Sequence, residues 1–267
     1  MARPVTPADS RSRLPLRARA ACVCASLALA LSAATPAIAF AESAEAPGFA
    51  AARRAMLDQI RATAEFTGAE VGRSSIAPEV MEVMGRVPRH RFVPDKLLEV
   101  AYVNRPLPIG HGQTISQPYI VALMTELLEV DRGDRILEVG TGSAYQAAVL
   151  AELVAEVYTM EIIEPLAQAA RARLEELGYA NVEVSAADGY YGWPEHAPFD
   201  GIIVTAAASH IPPPLVEQLK PGGRMVIPVG ARFAVQHLLV VHKRADGEVQ
   251  VRQVLPVRFV PLTGGHD

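Results

Sequence analysis

The run Ile136-Leu137-Glu138-Val139-Gly140-Thr141-Gly142-Ser143-Ala144-Tyr145-Gln146 constrains this chain more than any other, because an apolar strand there runs straight into a glycine turn and a helix. Gly140 and Gly142 remove side chains where the backbone must turn tightly and approach a ligand. The helix N-terminus behind them offers unpaired N–H groups and the positive end of a dipole. A nucleotide-like ligand fits such a turn. A βαβ nucleotide site also needs an acid at the end of its second strand, about 20 residues on, where a carboxylate meets ribose hydroxyls. Val157-Tyr158-Thr159-Met160-Glu161 supplies it, which makes Glu161 the candidate ribose ligand.

Two classes of nucleotide use this unit. A dinucleotide motif places a third small residue where the helix packs on the strand and pyrophosphate crosses the helix end. Tyr145 occupies that position here, which favours S-adenosylmethionine. Glu138, at the end of the first strand, is placed to face the methionine end of that ligand, whose ammonium group needs acceptors.

Half of the residues are apolar and the formal net charge is −4, as expected for one large globular domain with a substantial core. The body has no run of Lys and Arg, which argues against a nucleic-acid partner, since neutralising phosphates takes a basic face. Residues 1–46 read as something else. Arg11, Arg13, Arg17 and Arg19 lead the apolar run Ala20 to Ala34, and Ala37-Ile38-Ala39 and Ala39-Phe40-Ala41 both fit small-x-small cleavage sites. The expectation is a secretory signal peptide and linker over 1–46, followed by a catalytic domain over 47–267. The apolar run is shorter than the ~20 residues a spanning helix needs, so no stable membrane anchor is expected after cleavage. The location would be periplasmic or secreted if the signal works and cytoplasmic otherwise. Cys22 and Cys24 both fall inside the leader, leaving the mature chain no disulfide. No metal site is expected.

From Phe49 to about Lys96 the pattern is helical. Met56, Leu57, Ile60 and Ala64 recur at three- and four-residue spacing among Arg53, Arg54, Asp58 and Arg61, which reads as an amphipathic helix. A second helix is predicted from about Ala77 to Met84, ending at a Gly85 to Pro88 break. Pro88-Arg89-His90-Arg91-Phe92-Val93-Pro94 reads as a rigid connector, with His90 solvated or structural. The stretch from Pro106 to Tyr119 packs glycines, prolines and small hydroxyls just before an apolar helix from Ile120 to about Leu128. It reads as a substrate loop able to cover a bound ligand; the blander reading makes Thr114 and Ser116 helix caps. Residues 47–130 thus form a helical N-terminal part carrying this loop at 106–119.

Several of these motifs together resemble the protein-L-isoaspartate O-methyltransferases: Gly112-Gln113-Thr114-Ile115-Ser116-Gln117-Pro118, Leu137-Glu138-Val139-Gly140-Thr141-Gly142-Ser143, Asp188-Gly189, Pro198-Phe199-Asp200-Gly201-Ile202-Ile203-Val204-Thr205-Ala206-Ala207 and Arg258-Phe259-Val260-Pro261-Leu262. The match runs from about Arg53 to Thr263, and the Gln-Thr-Ile-Ser-Gln-Pro loop is far more specific than the glycine turn. Three features depart from that family: Ala144 where it usually has Gly, Ala187 where it often has Gly before the Asp, and the leader. The first two would add a methyl beside the cofactor loop.

The resemblance implies methyl transfer from S-adenosylmethionine to the free carboxylate of L-isoaspartyl residues in damaged proteins and peptides, the start of their repair. It implies that Ser116 is the active-site hydroxyl and bonds the substrate carboxylate, with Thr114 and Ile115 shaping the loop beside the cofactor. Asp188 would bond the adenine amino group, Gly189 would allow close backbone approach, and backbone groups near Ala206 and Ala207 would hold the substrate main chain. A methyltransferase for a small molecule or nucleic acid would share the glycine turn but has no reason to carry the Gln-Thr-Ile-Ser-Gln-Pro loop. An exported module that only binds the cofactor or peptide ends is the other alternative.

The remaining pattern reads as strand Asn181 to Ser185, a helix from about Pro165 to Leu177 closed by Gly178, and strand Phe199 to Thr205. Helix Ile211 to Leu219, a turn at Lys220 to Arg224 and strand Met225 to Val229 follow. Gln236 to Lys243 and Gln250 to Val254 flank a hairpin signal at Asp246-Gly247. The fold class expected is α/β, a doubly wound, mostly parallel Rossmann-like sheet of the class I S-adenosylmethionine-dependent methyltransferases, with N-terminal helices and a C-terminal antiparallel hairpin.

Overall fold

The computed structural model describes residues 47–231 and 234–265. The leader expected over 1–46, with its two cysteines, lies outside them. No described helix is long and apolar enough to cross a membrane.

The chain opens with helices α1 (Pro47–Val71) and α2 (Pro78–Arg86) and two short 3-10 turns, Arg89–Phe92 and Asp95–Val100. A hairpin, β1 (Leu107–Gly110) and β2 (Gln113–Ile115), leads into α3 (Pro118–Leu128). Then come β3 (Arg135–Val139), α4 (Tyr145–Ala151), β4 (Glu156–Glu161), α5 (Glu164–Glu176), β5 (Val182–Ala186), β6 (Phe199–Val204), α6 (Pro213–Gln218), β7 (Leu219–Val229), β8 (Gln236–Lys243) and β9 (Val249–Val257).

The main sheet has the order β5-β4-β3-β6-β7-β8-β9. Its first five members are parallel, and β8 and β9 add an antiparallel edge. Because β3 and β6 are buried almost end to end, they are covered on both faces, as parallel strands joined by helical crossovers must be. Alternate residues feed two cores. Ile136, Val157, Ile203 and Val226 pack with α1 to α5, while Leu137, Met160, Ile202 and Met225 pack with α6. The strand order reverses between β3 and β6, and such a reversal opens a crevice at the carboxyl ends of the strands.

The predicted helices stand, with Met56, Ile60 and Ala64 on the buried stripe of α1. The structure differs in three places. First, α2 runs through Gly85 to Arg86, whose guanidinium reaches Glu82 and Glu152 and extends the last turn. Second, the stretch read as a loop at 106–119 is half hairpin: Leu107 pairs with Ile115 and Pro108 with Thr114, and Gly110, His111 and Gly112 turn the chain at positive φ. Third, β7 begins at Leu219, so the predicted turn at 220–224 is a bulge within it. Phe199 pairs with Leu219 and Gly201 with Arg224, while Lys220 Nζ holds Asp200 Oδ1 at 2.6 Å.

Candidate active site

The crevice at the switch point is a cavity whose walls come from widely separated stretches of the chain. Thr114, Ile115 and Ser116 stand on one side, Glu138 to Ser143 on the floor, and Glu161 and Gly189 beyond it; Thr205, Ala206 and Val260 to Thr263 close the remaining side.

The floor is the glycine turn. The N–H groups of Gly140 and Thr141 both donate to Met160 O, at 2.8 and 3.1 Å, which ties the end of β3 to the end of β4. Gly140 sits at φ +98°, and a Cβ there would meet Thr205 Oγ1 at 2.5 Å. Only glycine satisfies both conditions. Gly189 is required for a different reason: a Cβ there would meet Val139 Cγ1 at 2.5 Å.

Glu161 carries the turn. Its Oε2 accepts the N–H of Gly142 at 2.8 Å and its Oε1 that of Ile163 at 3.0 Å. Each oxygen keeps a further lone pair, so the carboxylate is fixed in place and still able to accept hydrogen bonds from a ligand. Glu138 is arranged in the opposite way. It is 0% exposed, and its Oε2 accepts the hydroxyl of Thr159 at 2.6 Å, with Thr141 behind Thr159 at 2.7 Å. Its Oε1 has no hydrogen-bond partner among the described residues. Burial pushes its carboxyl up to about 8, because an ionised group there has lost water and gained only one donor. A lone acceptor in a cavity wall is a place for a cationic group, so these residues fit the ammonium end of S-adenosylmethionine.

Ser116 lies between β2 and α3. The residue preceding α3 is Gln117, and no side chain caps the helix, which removes the capping reading of Thr114 and Ser116. Ser116 Oγ makes no hydrogen bond among the described residues, whereas its carbonyl accepts from Arg89 Nη2 at 2.8 Å. Thr114, Ser116, Thr205 and Val260 also line a second groove, of about 540 Å³, that runs on from the cavity between α1 (Thr63, Thr67) and the end of β9. Ser116 therefore stands where two cavities meet.

Three of the expected residues are placed less simply. Asp188 does not line the cavity; its Oδ1 accepts the N–H of Tyr190 and its Oδ2 that of Gly265. Ala206 lines it, but the N–H of Ala207 donates to Val260 O and its carbonyl accepts from Leu262, both at 2.8 Å, so that N–H is spent inside the protein. Ala144 and Ala187 are absent from the cavity wall. His111 is exposed at the hairpin turn, and His90 is structural, stacked on Phe49 with its Nδ1 2.8 Å from the Tyr102 hydroxyl.

Sequence reasoning assigned no site role to Thr205 or to Val260–Thr263. The Arg-Phe-Val-Pro-Leu motif contained the signal. It ends in residues that pair with Ala207, and the pairing brings the C-terminal segment over the cavity. Among the described residues no group of His, Cys, Asp and Glu could hold a metal ion.

Comparison with known proteins agrees with this architecture. Residues 70–267 match the family model for protein-L-isoaspartate(D-aspartate) O-methyltransferase. The chain is 64% identical over 214 residues to protein-L-isoaspartate O-methyltransferase 1 of Cupriavidus necator, covering 80% of this chain and 83% of that one. It is 65% identical over 209 residues to protein-L-isoaspartate O-methyltransferase 2 of a Polaromonas species, covering 78% and 99%. Among solved structures, one protein-L-isoaspartate O-methyltransferase superposes with a TM-score of 0.70 at 27% identity, covering 79% of this chain and 66% of that one.

Proposed function

The chain belongs to the protein-L-isoaspartate(D-aspartate) O-methyltransferase family, and from that membership we infer how the residues of its cavity divide the work. The enzyme transfers a methyl group from S-adenosylmethionine to the free carboxylate of L-isoaspartyl residues in damaged proteins and peptides, which starts their repair. S-adenosylmethionine supplies the methyl group on a positively charged sulfonium.

An α-carboxylate has an ordinary pKa of about 3.5 and is ionised at neutral pH, so no side chain has to remove a proton before attack. What the protein must supply is alignment, which is worth ~7–11 kcal/mol in well-oriented systems. It must also exclude water, because the opposite charges of the reacting groups neutralise as the bond forms. A cation gripping the carboxylate would oppose that neutralisation, and a neutral donor would not. In our reading Ser116 Oγ donates a hydrogen bond to the substrate carboxylate, with Thr114 and Ile115 beside it. Glu138 accepts from the ammonium, Glu161 from the ribose hydroxyls through its spare lone pairs, Asp188 and Gly189 receive the adenine, and Ala206 borders the substrate main chain. The extended groove beside α1 takes the flanking polypeptide.

One observation carries the assignment: the Ser116 hydroxyl, without a hydrogen-bond partner among the described residues, stands on the wall shared by the cavity and the groove. The test is transfer of labelled methyl from S-adenosylmethionine to an isoaspartyl peptide and to its aspartyl twin. Transfer to the first alone is expected, and equal labelling of both would overturn it. We propose also that the leader directs export. Mass spectrometry of the native protein should find an N-terminus after Ala39 or Ala41 in a periplasmic or secreted pool; an intact N-terminus in a cytosolic pool would exclude it.

A further inference from the structure

The Pro88-to-Pro94 connector holds a charge that the reaction does not use. Arg89 is 0% exposed, and no carboxylate pairs with it among the described residues. Its Nε donates to Ala101 O and its Nη2 to Ser116 O, both at 2.8 Å, while Nη1 has no partner among the described residues. The guanidinium carbon lies 4.8 Å above the ring of Tyr145, the first residue of α4. Burying a cation without an anion costs several kcal/mol, and that burial lowers its pKa to about 10. Two backbone carbonyls could be satisfied far more cheaply by neutral donors. What only a guanidinium offers is a rigid planar fork whose donors hold two acceptors at a fixed separation while its face rests on an aromatic ring.

We propose that Arg89 is a positioning residue for methyl transfer: it fixes the backbone of Ser116 against α4, and so sets where the Ser116 hydroxyl stands relative to the glycine turn. The inference rests on the reading of Ser116 given above. The three partners make the case, because each belongs to a different stretch of the chain, two of them at the site. Ala101 follows the 3-10 turn Asp95–Val100, Ser116 follows the substrate hairpin, and Tyr145 follows the cofactor turn and lines its cavity. A second brace acts further along: Asn104 Oδ1 accepts the N–H of Tyr119 at 3.0 Å while its Nδ2 reaches Thr63 at 3.2 Å. That brace ties the start of α3 to α1 and makes no contact with the cofactor side. Of the two, Arg89 alone spans the substrate loop and the cofactor helix.

The test is a double-mutant cycle on the full chain, with Arg89→Met, Ser116→Ala and the double variant, each assayed for kcat, KM for an isoaspartyl peptide, S-adenosylmethionine affinity and melting temperature. Arg89→Met removes the charge and keeps a similar length. The expected result is a kcat lowered at least about tenfold with cofactor affinity within about twofold, and a Ser116→Ala step that costs less than about threefold once Arg89 is gone, since residues acting as a unit are not additive. Arg89→Lys, which keeps the charge but lacks the fork, should recover part of kcat; if the Met variant does not fold, the same cycle is run with Lys. Losses that multiply, or a kcat unchanged by Arg89→Met, overturn the positioning role and leave Ser116 in place. Full activity of Ser116→Ala alone overturns both.

Discussion

The cofactor side and the substrate side of the cavity are held together by different means. On the cofactor side, hydrogen bonds join the ends of adjacent strands in one βα unit: Gly142 to Glu161 across 19 residues, Thr159 to Glu138 across 21. On the substrate side, Ser116 is held from Arg89 across 27 residues, α3 from Asn104, Asn104 from Thr63 across 41, and Ala207 from the far C-terminal segment. A cradle built from neighbouring strand ends is as rigid as the sheet beneath it. A wall assembled from distant segments depends on a few side chains, and its geometry is lost when one of them goes. Damage to the first side should therefore appear as lost affinity, and damage to the second as lost rate.

The largest expected effect tests the substrate side. Ser116→Ala should lower methyl transfer by about one to three orders of magnitude, in line with removal of one donor at a reacting centre, while cofactor affinity and melting temperature change little. Rate, affinity and melting measured on one purified variant decide it. A destabilised protein with full specific activity would mean that the hydroxyl is merely structural.

Glu138→Gln is next. The wild-type carboxyl, raised from an ordinary 4.5 to about 8 by burial, holds its proton in the folded protein over a range where the unfolded chain gives it up. Between those values the folded state binds more protons than the unfolded state, so stability falls as pH rises from about 4.5 to 8 and then levels off. Gln carries no such proton. The variant should gain on wild type across that window, by an amount on the order of 4 kcal/mol at pH 8. It should also bind S-adenosylmethionine less tightly and release fewer protons on binding, since the ammonium draws the wild-type carboxyl into its ionised form. Parallel melting curves for the two proteins from pH 5 to 8 would contradict this account of Glu138.

Glu161→Ala should weaken S-adenosylmethionine binding by about 1.5–3 kcal/mol, the range for a lost charge-assisted hydrogen bond. It also strands the N–H groups of Gly142 and Ile163, so some loss of melting temperature is expected as well. Calorimetry showing unchanged affinity would remove Glu161 from the ribose and leave it a loop anchor only.

The same contrast explains which parts of the site are legible in the sequence. Strand, glycine turn and terminal acid lie close together in the chain, and one local unit sets their periodicity and spacing, so β3, β4, Gly140, Gly142 and Glu161 can be read directly from the residues. Ser116 is legible only through a family resemblance, because nothing local distinguishes its hydroxyl from a helix cap. The hairpin at Leu107–Ile115 is hidden by Pro106, Pro108, Gly110 and Gly112, residues that punctuate loops; a two-stranded ribbon tolerates Pro108 because it has free edges. Arg89 is hidden more thoroughly. Its connector has the prolines and flanking charges of a surface link, and burial there comes from Ala101, Ser116 and Tyr145, which no window around position 89 contains. The hint is its setting, in a short stretch bounded by the buried Val87 on one side and by the buried pair Phe92 and Val93 on the other.

The smallest expected effect concerns Ala144, which stands where the family usually has glycine. If its methyl crowded the cofactor, Ala144→Gly would tighten S-adenosylmethionine binding severalfold. The structure points elsewhere: Ala144 is 0% exposed, is absent from the cavity wall, and precedes α4 at φ +70° with its N–H on Thr141 O at 2.8 Å. A Cβ in the left-handed region costs ~1–2 kcal/mol. Glycine relieves that strain, but it loses a buried methyl worth ~0.8 kcal/mol and adds ~0.5–1 kcal/mol of unfolded-chain freedom. These contributions nearly cancel. Ala144→Gly should therefore shift stability by about 0.5 kcal/mol or less, which for a chain of this size is a melting change of about 2 °C at most, and leave cofactor affinity within about twofold. A severalfold gain in affinity would show that the turn is compliant enough to pass strain from the helix start to the ligand, and the rigidity attributed to the cofactor side would then be wrong.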